Sequence, residues 1–592
     1  MTRSKKLINA PEDVISQMIA GMVAAHPDML CLEGETGRAV VAVDGPREGK
    51  VGVVIGGGSG HEPAFAGYVG RGLADAAAVG NVFASPSPDH IADAGRAADG
   101  GAGVVLLYGN YTGDVMNFTM AAEVLEAEGT PVRQVAVIDD VASAPPDRRG
   151  ERRGIAGDFF VFRIAGAAAD LGEPLARVEA LAQKANANTL SMGVALSPCS
   201  LPQTGRPNFE IGEDEMEIGM GLHGEPGVRR DKLARADAVA DELMGAILAE
   251  LAPEPGARVA VLVNGLGATG QLELYILFNR VKQILDARGV VIHRSWVGEY
   301  ATSLEMAGAS VTLMKLDEEL AALLDHPCRT PALVVGAVDP APRAARRPRR
   351  VAATEAAPLA QGPLIETGRV TPQIFRALLA GAGAQIIAAR DWLSELDGVI
   401  GDGDHGVTME IGWKAVQTAL DAAPEGETIT GTCQRVAKAF LDAVGASSGP
   451  LYASAFQRAG AAVDDRLNLD AGALAAWLAG ALDGILSRGG AQPGDKTMID
   501  AWVPAVEAAR AAQGIETDVL RAARDGAEAG MRATAELESR RGRSAKLGAR
   551  SVGHIDPGAA STFILLRAMS AALDRALLES ALQPRCVAPP ST

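Results

Sequence analysis

The chain has 592 residues, enough for three to five domains at roughly 100–200 residues each. Its 48% hydrophobic and 22% charged residues exclude wholesale disorder and a fibrous class. The net charge of −18 excludes nucleic acid and anionic membrane as partners, since both repel an acidic surface.

The opening stretch MTRSKKLINAPEDVISQMIAG holds no apolar signal core, and no apolar run reaches bilayer length, so a cytoplasmic protein is expected. Cys31, Cys199, Cys328, Cys433 and Cys586 are odd in number, far apart and without a C-x-x-C pair, which argues against a disulfide framework and a zinc site. The 69 glycines exceed the average of roughly 7%, and glycine in excess means tight turns and close backbone approaches.

Short apolar runs at 51–55, 104–107, 135–138, 259–263 and 311–316 read as strands, and 236–251 as a helix. Strands alternating with helices imply α/β layers with largely parallel sheets. This half exceeds a usual single core, so two α/β subdomains are expected, 1–190 and 191–336. The first strand runs into Gly56-Gly-Gly58-Ser59-Gly60-His61-Glu62-Pro63, and the second into Gly109-Asn-Tyr-Thr-Gly-Asp114. Open α/β sheets bind ligands beyond their strand ends, so His61 and Asp114 are candidates for an acid–base pair. His223 lies between glycines in a third such loop. A hydrogen-bonded structural role is the competing reading for either histidine.

Residues 337–366, AVDPAPRAARRPRRVAATEAAPLAQGPLIE, have neither strand nor helix periodicity and read as a linker, its arginines solvated. After it, residues 367–592 read as all-α. Thr371-Pro372 starts a helix, and Phe375, Leu378, Leu379, Ile386, Leu393 and Leu396 share one face of it down to Asp397. GVIGDGDHG follows, with a new helix from about 407, and helical patterns recur at 473–485, 502–512, 517–537 and 562–582. Asp397, Asp402 and Asp404 gather at this junction. Three close carboxylates suit hard Mg²⁺, and turn-forming Asp-Gly chemistry is the alternative. Ser447 and Ser448 lie in a Gly445–Gly449 turn before a helical stretch, where backbone N–H groups can hold phosphate. Met498 is suited to an adenine face, Arg543 supplies a cation, and Asp556-Pro557-Gly558 makes a second tight turn. There is no Walker-type phosphate loop and no protein-kinase catalytic loop. Each piece alone is weak.

Together these motifs resemble the dihydroxyacetone kinase family. Residues 367–585 resemble its nucleotide-binding domain, an antiparallel eight-helix barrel with Mg-ATP at one end. By that resemblance Asp397, Asp402 and Asp404 hold two Mg²⁺ ions. The stretch His405, Gly406, Val407 and Thr408, with Ser447, Ser448, Gly489, Met498, Arg543, Asp556, Pro557 and Gly558, surrounds the nucleotide. Residues 7–335 resemble the ketose-binding domain, in which His223 bonds covalently to the substrate carbonyl as a hemiaminal. His61 and Asp114 hydrogen-bond the substrate and draw the proton from the attacking hydroxyl, and Gly58, Ser59, Gly60 and Gly109 line the same ligand.

The implied activity is ATP-dependent phosphorylation of the terminal hydroxyl of a short ketose, dihydroxyacetone or erythrulose. The implied assembly is a homodimer, one chain's nucleotide domain facing the other's ketose domain. The family motif commonly reads Lys-Asn-Tyr-Thr-Gly-Asp, and this chain has Gly109 in the lysine's place, which predicts a wider pocket that admits one more carbon. The loop from Val297 through Glu299 and Tyr300 to Leu304 also departs from the usual form. Two other functions fit the resemblance, a regulatory ketose-binding protein and a Mn²⁺-dependent FAD-cyclising lyase.

Overall fold

The computed structural model describes residues 5–337 and 365–582 apart from 402, 425 and 465, and separates the chain into two units, Met1–Ala352 and Ala353–Thr592. The linker, Asp402, Cys586 and the Arg543 side chain lie outside what is described.

In the first unit the chain runs α1 (Val14–Ala25), β1 (Leu30–Glu33), β2 (Ala39–Ala42), β3 (Gly52–Ser59), β4 (Ala76–Val82), α2 (Pro88–Ala98), β5 (Val104–Gly109), α3 (Thr112–Ala127), β6 (Val132–Val137), α4 (Asp158–Asp170) and α5 (Leu175–Ala187). It continues through β7 (Thr189–Ala195), β8 (Glu215–Ile218), β9 (Arg229–Lys232), α6 (Ala236–Leu251), β10 (Arg258–Gly265), α7 (Gln271–Ala287), β11 (Val291–Gly298), β12 (Gly308–Leu316) and α8 (Glu318–Asp325). Among the described residues these strands form two six-stranded sheets, ordered β1-β2-β4-β3-β5-β6 and β11-β10-β12-β7-β8-β9.

Side chains alternate across a strand, and here the alternation feeds separate cores. Val54, Val104 and Leu106 pack with Ile91 of α2 and Phe118 of α3. Val53, Ile55, Val105 and Leu107 face the other way, into a core that α4 fills with Phe159, Phe160, Phe162 and Ile164. Ala260 and Leu262 of the second sheet join that same core, while Val259, Val261 and Val263 pack with α6 and α7. Helix α4 is therefore shared between the sheets, which explains why 12 of its residues are buried.

The first sheet is parallel from β4 through β6. The second corrects the expectation of largely parallel sheets: β10–β11 is parallel, but β10–β12, β12–β7, β7–β8 and β8–β9 are antiparallel. A loop rather than a crossover helix joins β7 to β8 and β8 to β9, and a short connection of that kind suits antiparallel neighbours.

The second unit is all-helical: α9 (Pro372–Ala388), α10 (Arg390–Ile400), α11 (His405–Asp421), α12 (Ile429–Ala443), α13 (Ser448–Ala461), α14 (Ala471–Gly489), α15 (Ile499–Ala511), α16 (Glu516–Ala533) and α17 (Pro557–Leu582). Thr371 caps α9, its hydroxyl accepting from the Ile374 amide at 3.3 Å, with Pro372 in the first position. The single rod expected from Thr371 to Asp397 is interrupted at Ala389 and runs on to Ile400. From α11 to α17 each helix packs on the next, and α9 closes the ring by touching both α17 and α11. The described residues thus form a closed ring of eight helices, with α10 lying against α11 and α17. Trp413, Trp477 and Trp502 fill its interior. No helix among the described residues is long and apolar enough to cross a membrane.

Candidate active site

Strand β3 is flanked by β4 on one side and β5 on the other, the switch point at which open α/β sheets receive ligands. Glycine brings the backbone itself to this edge. A Cβ on Gly58 would fall 2.7 Å from the Ala84 amide nitrogen, and Gly60 turns the chain at φ +99°. His61 follows and is 4% exposed. Its Nδ1 lies 2.7 Å from the carbonyl oxygen of Thr302, in the loop after β11, and its Nε2 lies 3.1 Å from Nε2 of His223, in the loop between β8 and β9. Phe83 stacks on His61 at 5.0 Å, and His223 is met edge-on by His61, Phe83 and Tyr111 at 4.9, 5.3 and 4.7 Å. The two histidines expected from separate loops are therefore neighbours.

Their partners fix their protons. A carbonyl oxygen only accepts, so His61 carries its hydrogen on Nδ1 and donates it to Thr302. His223 Nδ1 lies 3.0 Å from Glu225 Oε1, again an acceptor, so it too carries its hydrogen on Nδ1. His61 Nε2 is then left with a lone pair, facing His223 Nε2 at 3.1 Å. Burial, reinforced by His223, lowers the His61 pKa to about 3, so this ring is neutral at ordinary pH.

Glu225 also accepts from the His223 amide at 3.0 Å, and Arg153 lies 3.8 Å from it while binding Asp140 at 2.6 Å. This buried His–Glu–Arg–Asp chain holds the His223 ring. Glu225 and Thr302 were not expected. A signal existed for Glu225 alone, because both histidines run into Glu-Pro. Glu62, its counterpart, instead accepts from the Gly60 amide at 3.1 and 3.0 Å.

Asp114 sits in the first turn of α3, half-buried on the same sheet edge. The ring nitrogens of His61 face Thr302 and His223, so its nearest titratable neighbour is His223. Gly109 does not leave the vacancy that a missing lysine predicts. A Cβ there would lie 3.3 Å from the Tyr111 ring and 3.4 Å from the Gly154 carbonyl oxygen. Tyr111 has folded back into that space, whereas Tyr300 packs edge-on against Phe159 at 5.1 Å in the core.

In the helical unit, GVIGDGDHG covers the last residues of α10 and the first of α11, with 401–404 between them. Asp397 Oδ2 accepts from the His405 amide at 3.1 Å and draws this turn closed. Burial, and then the Asp397 charge, pushes Asp404 up to about 7. Burial also pushes Asp556 up to about 7, with Asp397 and Asp500 adding to the shift and Lys496 opposing it. Lys496 is itself fixed by donating to the carbonyls of Thr534, Leu537 and His554 at 2.7, 3.1 and 2.6 Å. Among the described residues no three His, Cys, Asp or Glu side chains are set to hold a metal ion, the expected third aspartate being outside them. Buried carboxylates set beside another carboxylate's charge, as Asp404 and Asp556 are beside Asp397, are relieved by a hard cation with oxygen ligands, so the residues present fit Mg²⁺.

The nucleotide candidates share one end of the ring. His405 Nε2 lies 3.0 Å from Ser561 Oγ, which ties the start of α11 to the start of α17. A Cβ on Gly558 would lie 3.1 Å from Asp556 Oδ1 and 3.3 Å from Met498 Cβ, which brings the start of α15 to the same place. Tyr452, near the start of α13, sits close to the hydroxyls of Ser561 and Thr562. Ser447 and Ser448 begin that helix, and Gly489 ends α14. The N-termini of α11, α13, α15 and α17 thus converge, and helix N-termini present unsatisfied N–H groups and positive potential to an anion.

The sequence matches the Dak1 domain over residues 20–332 and the DAK2 domain over residues 399–571. It is 41% identical to the L-erythrulose 1-kinase of Mycolicibacterium smegmatis, over 96% of this chain and 100% of that one. It is 40% identical to the D-erythrulose kinase of the same organism, over 95% and 98%. The crystal structure of the dihydroxyacetone kinase from C. freundii in complex with AMP-PNP and Mg²⁺ superposes with a TM-score of 0.52 at 31% identity, covering 96% of this chain and 100% of that one. With a Dak1 domain on its α/β unit and a DAK2 domain on its helical unit, the chain belongs to the dihydroxyacetone kinase family.

Proposed function

We propose that this chain is an ATP-dependent kinase that phosphorylates the terminal hydroxyl of a short ketose, dihydroxyacetone or erythrulose, held through its carbonyl on His223. Residues 1–336 are assigned to the ketose and residues 367–592 to the nucleotide. One observation carries the reading: His223 Nε2 lies 3.1 Å from His61 Nε2 at the strand ends of the α/β unit, with its ring held at Nδ1 by Glu225 at 3.0 Å. Such a nitrogen is ready for an electrophile. As Nε2 bonds to the carbonyl carbon, the C=O π pair moves onto oxygen, which takes a proton from water to complete a hemiaminal, and the positive charge left on the ring is offset by Glu225 at Nδ1. Glycerol has no electrophilic carbon and is not captured.

His61, neutral and fixed by Thr302, accepts a hydrogen bond from a substrate hydroxyl, and Asp114 accepts the proton of the attacking hydroxyl. The converging helix N-termini receive the phosphates. Asp397, Asp404 and, by the family resemblance, Asp402 would hold two Mg²⁺ ions, which when bound neutralise charge on the transferring phosphoryl group. The likeness to two erythrulose kinases supports a ketose of three or four carbons.

Intact-mass measurement tests the anchor. The natural protein should gain the mass of the added ketone, and His223→Ala should lose that adduct while still binding Mg-ATP. An adduct unchanged in the variant removes His223 from the role.

A further inference from the structure

Buried polar atoms in folded proteins nearly always have a partner. Beside Gly109 two do not: the phenol oxygen of Tyr111 and Oδ1 of Asp158, whose residue is only 7% exposed. Their placement follows from two glycines in contact. The Tyr111 ring stands 3.3 Å from the point where a Gly109 Cβ would be, and its edge meets His223 at 4.7 Å. Behind Gly109, a Cβ on Gly154 would lie 2.6 Å from the Gly109 Cα and 3.0 Å from Asp158 Oδ1. Asp158 opens α4 and therefore reaches this spot from the rigid helix shared by both sheets.

The chemistry of the missing partner can be narrowed. Burial, then the charges of Asp139 and Asp114, push the Asp158 carboxyl well above the usual range. This favours the uncharged acid, which has one O–H to donate and one oxygen to accept. Burial, then Glu225, likewise keeps the Tyr111 phenol protonated. An anion would be repelled by Asp114, Asp139 and Glu225, and a cation by Arg153. A neutral group that both donates and accepts satisfies all of them, and a hydroxyl is the smallest such group.

We propose that Asp158 and Tyr111 form the specificity site for the extra hydroxyl of a ketose one carbon longer than dihydroxyacetone. The proposal rests on the reading that the ketose carbonyl is held at His223. In that arrangement Gly109 acts by letting Tyr111 fold back, which brings the ring and its buried phenol oxygen against His223, not by leaving empty space. Leaving a buried hydroxyl unpaired weakens binding by roughly 5- to 150-fold.

The test is the ratio of kcat/KM for each erythrulose enantiomer to kcat/KM for dihydroxyacetone, in the natural protein, Tyr111→Phe, Asp158→Val and Asp158→Asn. The natural protein should favour one erythrulose. That ratio should fall by about 10-fold or more in Tyr111→Phe and Asp158→Val, and Asp158→Asn, which still donates and accepts, should retain most of it. Tyr111→Phe removes a single oxygen and so remains informative if the valine variant fails to fold. A ratio that stays constant while both substrates decline together overturns the assignment, as does a natural protein that prefers dihydroxyacetone but still forms the ketone adduct on His223. If no ketose is phosphorylated and no adduct forms, the underlying functional reading falls as well.

Discussion

His61 shows how a single residue ties stability to function. Folded, it titrates at about 3; unfolded, near the ordinary value of about 6.5. Between those values the unfolded chain binds a proton that the folded chain refuses. The stability His61 contributes is therefore complete above about pH 6.5 and is lost as pH falls toward 3, at about 1.4 kcal/mol per pH unit. His90, lowered to about 4 by burial, acts in the same direction, whereas Asp139, raised to about 6 by burial, acts in the opposite one. A single pH profile blends these contributions, but a difference isolates one. Between pH 7 and pH 5, urea unfolding should show natural protein losing about 2 kcal/mol relative to His61→Gln. A constant difference would mean that His61 is not held neutral. Both histidines were legible in the sequence because glycines frame them. Thr302 was not, because a hydrogen bond spanning 241 residues leaves no local trace.

At the scale of elements, the ketose candidates lie at strand ends in one unit, and the nucleotide candidates lie at helix starts in the other. Gly449, in the first turn of α13, has no room for a side chain, since its Cβ would fall 1.9 Å from the Val444 carbonyl oxygen. Gly449→Ala should displace that helix start, costing about 1–3 kcal/mol of stability by overpacking and weakening nucleotide binding. Titration with a fluorescent ATP analogue, set beside urea unfolding, checks both. Asp397→Asn should lower turnover by orders of magnitude yet leave the ketone adduct intact, and near-normal turnover would reduce Asp397 to a turn residue. The helices were the more legible elements: 236–251 agrees with α6 at both ends, and Thr371-Pro372 starts α9 as read. Strand β4, AAAVGNV, escaped because alanine carries no strand signature. The antiparallel half of the second sheet escaped because β8 and β9 are short and charged, and pairing direction is a property of partners that one strand does not encode.

For the whole molecule, two units with separate hydrophobic cores account for a reaction with two different recognition problems. On the proposed reading one unit would capture a carbonyl at His223, and the other would offer its helix N-termini and carboxylates to a nucleotide and its cation. Separate cores predict two calorimetric transitions. Saturating Mg-ATP, at about 100 times its Kd, should stabilise the helical unit by about 2.7 kcal/mol and raise only its transition. A single transition moved as a whole would contradict that independence. The central claim is that ATP is spent on a ketose and on nothing lacking a carbonyl. Phosphorus NMR of reactions containing Mg-ATP with dihydroxyacetone, D-erythrulose, L-erythrulose or glycerol tests it most directly. A new phosphomonoester on the terminal carbon of a ketose, with equimolar ADP and none from glycerol, is the predicted result. Phosphorylated glycerol, or unchanged ATP with every ketose, would contradict it.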